Sequence, residues 1–190
     1  MAGSYSVKEI IMKHYLVIGG TGMLQAAVLD WNQEGHKVTV VARKKEEKLR
    51  RLSKCAAYPE LLRTVQADYH QLESFQKKLE DLPEPDIIVS WIHRSGNNAI
   101  QALSNIYGVL AKRVELFHIK GSSAHDPRQN YTPIYSETID YHEIILGFQL
   151  TGGASRWLTN EEIANGVREA VKLQQHRYIV GTVEPWSARP

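Results

Sequence analysis

The chain has 190 residues, 23 of them Lys or Arg and 21 Asp or Glu, for a formal net charge of +2. That balance gives no electrostatic pull toward nucleic acid or an anionic membrane surface, and 43% hydrophobic with 23% charged residues is ordinary globular composition. A single cysteine, Cys55, excludes an internal disulfide framework and points to a reducing, cytoplasmic setting.

No run of about 18 apolar residues is present, so no spanning helix is expected. Residues 1–12 lack the basic-then-apolar layout of a signal peptide and read as an N-terminal extension, native or added. Residues 13–190 then form a single domain.

"HYLVIGG" (14–20) is a short apolar run ending in glycines, which predicts a buried strand. From Met23 to Glu34 the apolar positions Leu24, Ala27, Val28 and Trp31 recur at helical spacing, and Gly35 stops the segment. "KVTVVAR" (37–43) is β-branched and predicts a second strand. A charged surface helix over 44–54 follows, then a third strand over 61–69. Leu72, Phe75, Leu79 and Leu82 mark one face of a helix that stops before Pro83. "DIIVSWIH" (86–93) is the most apolar strand and is placed centrally. Ile100, Leu103, Ile106, Tyr107 and Leu110 line another helix, and "VELFHIK" (114–120) is a fifth strand.

After Gly121 the alternation fails. Residues 122–139 hold Pro127 and Pro133 and show no helical period, so an irregular loop is expected. A loop of this length inside a compact domain is uncommon and often functional. "YHEIILGFQL" (141–150) reads as a sixth strand. Thr159 and Glu162 have capping-box spacing and open a helix with Ile163, Val167 and Ala170 on one face. "RYIVGTV" (177–183) is a last strand, and Trp157 and Trp186 beside this unit read as packing residues. Strands alternating with helices imply an α/β, doubly wound parallel sheet, Rossmann-like, in three layers with six to seven strands.

Gly19, Gly22 and position 25 have the spacing of a dinucleotide-binding glycine loop, and here the loop follows a strand and opens a helix. Gly19 permits the tight turn, and Gly22 lets backbone N–H groups approach a pyrophosphate at the positive end of the helix. A strand-to-helix turn with no ligand is the competing reading. Gln25 stands where the third glycine would allow close packing of helix on strand. It is expected to push the helix outward or tilt it, with the small Ala26 and Ala27 absorbing part of the shift. Metal binding is not expected, since His118, His125 and Asp126 match no zinc spacing.

"LVIGGTGML" with "GHKVTVVAR", "ADY" and "LTNEEIANGV" resembles the short-chain dehydrogenase/reductase superfamily, in a small atypical branch. The likeness covers residues 13 to about 120 well and 155–183 loosely. It implies that Gly19, Gly20, Thr21, Gly22, Met23 and Leu24 hold the pyrophosphate. It puts Arg43 and Lys44 at the adenine ribose, Asp68 and Tyr69 at adenine, and Trp91, Ile92, His93 and Lys120 along the nicotinamide side. Arg43 occupies the place where an NAD site usually offers a carboxylate, so NADP is expected ahead of NAD.

The family's catalytic set is a Ser after the fifth strand and a Tyr-x-x-x-Lys pair on the next helix. No Tyr in this chain has Lys four residues on, and the helix itself is expected to be absent. The candidates left near the strand ends are His93, Lys120, Ser122 and Tyr131, with His118, His125 and Tyr135 on or beside the long loop. Two functions remain open. One is an NAD(P)-dependent oxidoreductase moving hydride to or from a small carbonyl or alcohol. The other is a non-catalytic NAD(P)-binding sensor or partner-binding protein. A small-molecule substrate is expected, a nucleic acid or membrane partner is not, and a homo-oligomer is compatible with the chain.

Overall fold

The computed structural model describes residues 11–43 and 46–190. Residues 1–10 of the expected extension, and Lys44, lie outside them. The elements run β1 (His14–Ile18), α1 (Gln25–Gln33), β2 (Lys37–Ala42), α2 (Glu46–Cys55), β3 (Leu62–Gln66), α3 (Leu72–Glu80), β4 (Ile87–Trp91) and α4 (Asn97–Tyr107). They continue with β5 (Val114–Gly121), β6 (Ile139–Leu146), β7 (Phe148–Thr151), β8 (Ala154–Trp157), α5 (Asn160–Leu173) and β9 (Arg177–Val180).

Seven strands form one parallel sheet in the order β3-β2-β1-β4-β5-β6-β9, with the expected apolar strand β4 at its centre. Alternate residues of each strand face opposite helix layers. Val17, Val40, Val89 and Phe117 pack under α1, α2 and α5, whereas Leu16, Ile88 and Leu116 pack under α3 and α4. The doubly wound, three-layer arrangement therefore holds, with fewer helices on the second face.

The missing helix is the crossover from β5 to β6. Residues 122–125 make a short 3-10 turn, and the chain then runs without helix until β6 starts at Ile139, two residues earlier than the sequence suggested. A loop cannot satisfy its own backbone as a helix does, and here side chains of α4 reach a loop carbonyl while loop side chains cap the end of α4 in return. Gln101 Nε2 and Ser104 Oγ donate to the Ile134 carbonyl at 2.8 and 2.9 Å. Ser136 Oγ and Thr138 Oγ1 donate to the Gly108 carbonyl at 2.7 and 2.8 Å.

Three other expectations are corrected. The sixth strand is split, because Gly147 passes so close to residue 182 that a Cβ there would lie 2.0 Å from the Thr182 carbonyl oxygen. Beyond it β7 and β8 form an antiparallel hairpin, turning on Gly152 and Gly153, both at positive φ. Trp157 and Trp186 are not packed inside; both are exposed, with the Arg189 guanidinium 5.1 and 4.9 Å from their ring centres. The capping box on α5 is present, with Thr159 Oγ1 accepting from the Glu162 N–H at 3.2 Å. Among the described residues no helix is long and apolar enough to cross a membrane.

Candidate functional site

Two depressions meet at the carboxyl ends of the parallel strands, the edge where open α/β sheets bind ligands. The first, of about 250 Å³, runs over the glycine loop from Thr21, Gly22 and Met23 to Arg43 and Tyr69. The second, of about 180 Å³, lies beyond β4 and β5 and is lined by His118, Lys120, Ser123 and Tyr131 among others. Trp91 and His93 line both.

Each glycine of the loop has its own task. Gly19 has φ +89° and lies against β4, where an added Cβ would sit 3.0 Å from the Trp91 carbonyl oxygen. Gly20 is buried between strand and helix, an added Cβ lying 3.0–3.1 Å from methyls of Val40, Val17 and Val28. Gly22 has nothing within 4 Å of its missing Cβ and so presents bare backbone to the groove. Beyond it, α1 starts with no side-chain cap, leaving N–H groups of its first turn for a ligand. This arrangement fits a pyrophosphate.

Gln25 is not where the sequence reading put it. Its side chain is exposed at the start of α1, and the close approach of helix to strand is made at Gly20. The Leu24 side chain is 1% exposed and belongs to the core, and its backbone stands at the uncapped start of α1. Gly20 also lies under the groove and not in its wall.

At the far end, Arg43 and Tyr69 line the groove, with the guanidinium 5.9 Å from the Tyr69 ring centre. Asp68 does not line it; Ala67 and Tyr69 do. The Asp68 carboxylate instead accepts from the His70 N–H at 3.0 Å and closes a turn. Behind this wall, Gly96 leaves room for Tyr69 and Ile92, which a Cβ would meet at 2.7 and 2.4 Å.

In the second cavity His93 is exposed and its ring stands edge-on to Trp91, with centroids 5.2 Å apart. Ile92 is buried and contributes an apolar wall. The serine at the cavity is Ser123; Ser122 is buried and does not line it. The Tyr131 hydroxyl has only a 3.4 Å contact with Gln101 Oε1.

Lys120 is buried and donates to Asn130 Oδ1 at 2.7 Å, to the Tyr131 carbonyl at 2.7 Å and to Glu143 Oε1 at 2.5 Å. An ammonium has three protons, and all three are taken. Burial pushes the lysine below its usual range, against the pull of Glu143. Burial also opposes charge on Glu143, but hydrogen bonds from Lys120 and Asn130 outweigh it and hold the carboxyl below its usual range. Lys120 thus ties the long loop to the sheet beneath it.

His118, a residue beside the long loop in the sequence, belongs to this site, and Tyr141, which was not among the sequence candidates, joins it. His118 lines the cavity from β5, and its Nδ1 is 2.9 Å from the hydroxyl of Tyr141 on β6. The signal was available: Leu116, His118 and Lys120 share one face of β5, as Tyr141 and Glu143 do on β6, so polar groups alternate into an otherwise apolar layer.

No protein-family model matches the chain, and no curated protein matches it by sequence. Solved structures do match in fold. An alcohol dehydrogenase of Comamonas testosteroni, described as specific for bulky-bulky ketones, superposes with a TM-score of 0.65 at 14% identity, over 93% of this chain and 90% of that one. A short-chain dehydrogenase of Bacillus anthracis gives 0.61 at 18% identity, over 89% and 94%. Actinorhodin polyketide ketoreductase, solved with NADPH, gives 0.64 at 13% identity, over 90% and 96%. With its glycine loop at the first crossover and its seven parallel strands, the chain has the fold of the short-chain dehydrogenase/reductases.

Proposed function

We propose that this chain is an NAD(P)-dependent oxidoreductase, with NADP preferred, acting by hydride transfer on a small carbonyl or alcohol. One observation carries the reading. The groove over the glycine loop and the cavity beyond β4 and β5 share Trp91 and His93. A dinucleotide with its phosphates at Gly22 and its adenine end at Arg43 therefore has its other end at the mouth of the second cavity. The nicotinamide supplies or accepts the hydride when bound. Trp91 walls that junction, and His93, exposed beside it, is placed to exchange the accompanying proton with the substrate oxygen. Ser123 and Tyr131 offer hydroxyls in the same cavity. The ketone and NADPH in the descriptions of two structural neighbours point the same way.

A second reading is a protein that binds the nucleotide without turning it over. It is favoured by the absent helix and by Lys120, whose protons are all committed to Asn130, Tyr131 and Glu143. Deuterated NADPH offered with a panel of small ketones and aldehydes separates the two. Deuterium in the product alcohol supports the enzyme; tight NADPH binding with no transfer to any carbonyl supports the sensor. Nucleotide choice is tested at Arg43, where a guanidinium can pair with a 2′-phosphate through parallel hydrogen bonds. Arg43→Asp is expected to weaken NADPH by about 1–3 kcal/mol and NADH little. Equal losses for both remove the NADP assignment.

A further inference from the structure

His118 stands in the middle of β5 with a side chain almost wholly buried, and its ring lines the cavity beyond β4 and β5. Nδ1 faces the Tyr141 hydroxyl at 2.9 Å, and among the described residues no other hydrogen bond reaches the ring. Nε2 is the polar edge left to the cavity. The groups around it are few. Lys120 follows two residues on along β5, Tyr141 and Glu143 come from β6, and Ser90 sits opposite on β4 with a buried hydroxyl lacking a partner. Lys120 and Glu143 neutralise each other.

The Tyr141 hydroxyl fixes the ring's tautomer, because the bond made by one nitrogen decides which nitrogen carries the proton. Burial, reinforced by Glu143 and Tyr135, drives that hydroxyl far above the usual tyrosine range, so it keeps its proton. A phenol donates more strongly than a neutral imidazole N–H. Thr132 is the other partner of the Tyr141 hydroxyl; with Tyr141 donating into Nδ1, the assignment that nitrogen-15 NMR reads directly, the ring proton resides on Nε2. A second proton is opposed by burial and by the Lys120 ammonium, which lower His118 to about 3.

The rest of the cavity suits an uncharged ligand. Trp91, Ile92, Ala124 and Tyr131 give it aromatic and apolar walls, Asn97, Ser123 and Gln129 add uncharged polar groups, Lys120 is paired with Glu143, and Arg94 is exposed. Its 180 Å³ is below the roughly 300 Å³ at which drug-sized sites begin. We propose that His118, held by Tyr141, is a fixed and uncharged hydrogen-bond donor to the oxygen of a small neutral carbonyl or alcohol bound in this cavity. The inference deepens the oxidoreductase reading and rests on it for what then happens to the bound oxygen.

The test is nitrogen-15 NMR of the whole chain labelled at histidine, with the His118 signals assigned by their loss in His118→Gln. The expected spectrum shows Nδ1 as acceptor and Nε2 as N–H. Cyclohexanone should move the Nε2 signal and acetate should not, and Tyr141→Phe should release the tautomer. An Nδ1–H tautomer, no response to cyclohexanone, or a response to acetate alone overturns the proposal. NADPH titration of the same sample is independent: lost nucleotide binding defeats the oxidoreductase reading and leaves the His118 result standing. Where cyclohexanone is reduced, His118→Leu should cost about a hundredfold in turnover, the usual scale for removing one such donor. His118→Gln, which retains a side-chain N–H, should recover most of it; equal losses for the two count against a donor role.

Discussion

From β1 to β5 each parallel step of the sheet is made by a helix, whereas the step from β5 to β6 is made by residues 122–138 without one. The sheet face beneath differs accordingly. Under α3 and α4 it presents Leu16, Ile18 and Ile88; under the loop it presents His118, Lys120, Tyr141 and Glu143. A helix satisfies its own backbone and asks only for apolar contact. A loop brings unsatisfied carbonyls, and the sheet must offer donors to meet them. Replacing a helix by a loop has thus turned one end of the core polar and opened a cavity there.

The comparison breaks most sharply at the ion pair under the loop. Removing one member of a buried pair leaves the other charge uncompensated, which costs about 3–5 kcal/mol. Glu143→Ala should therefore lose stability on that scale in urea denaturation, while Lys120→Met with Glu143→Leu should recover part of it. The exposed pair Arg50–Glu46, at 2.7 Å on α2, is the control, worth about 0.5 kcal/mol or less. Equal effects at the two pairs would mean that the loop is not anchored through Lys120.

In the helical half the sharpest probe is Gly22→Val. The folded chain has room for the side chain, so thermal stability should be unchanged. Nucleotide binding should fall at least about a hundredfold, or roughly 2.7 kcal/mol, because the new methyls occupy the phosphate approach. Gly20→Val should do the opposite, lowering stability through its contacts with Val17, Val28 and Val40. A reversal of these two outcomes would misplace the phosphate site.

Acid separates the halves as well. His118 is buried and neutral in the folded chain, with its value lowered to about 3, and the unfolded chain takes up that proton near the ordinary histidine value. Its stabilisation is complete above about pH 6.5 and is lost as pH falls from there toward its folded value. Between pH 7 and 5 that loss is roughly 2 kcal/mol. Glu143, also held low, keeps its contribution until the pH drops below the ordinary carboxylate range. His14, lowered by burial, adds a loss of the same sign as His118. Stability at pH 5 relative to pH 7 should therefore improve in His118→Gln without becoming flat. An unchanged difference would mean that His118 is not buried as a neutral ring.

The sequence discloses the helical half because periodicity reports on apolar faces. Alternating strands and the glycine turn both follow from pattern. The polar half is legible only as an interruption: Pro127 and Pro133 exclude a helix, but nothing local says that Lys120 will reach Asn130, Tyr131 and Glu143, contacts that depend on strand pairing. Asp68 and Ser122 lie beside the two depressions without lining them, for a related reason. A motif fixes a neighbourhood, and the backbone decides which of two adjacent side chains lines the depression, here Tyr69 and Ser123.

Position 25 is where pattern misled in the well-behaved half, and it supports the smallest effect. The spacing made Gln25 the residue of close helix packing. In the structure that contact is made at Gly20, whose missing Cβ leaves Val28 its place, while Gln25 opens α1 with its side chain exposed. Restoring a glycine there removes no clash and creates no space. It adds only backbone freedom to the unfolded chain and lowers helix propensity, together roughly 0.5 kcal/mol. Gln25→Gly should lower the urea midpoint by that small amount and leave NADPH affinity within about twofold, a change of roughly 0.4 kcal/mol. A large gain in affinity would show that Gln25 obstructs the phosphate site, and the assignment of the approach to Gly22 alone would have to be abandoned.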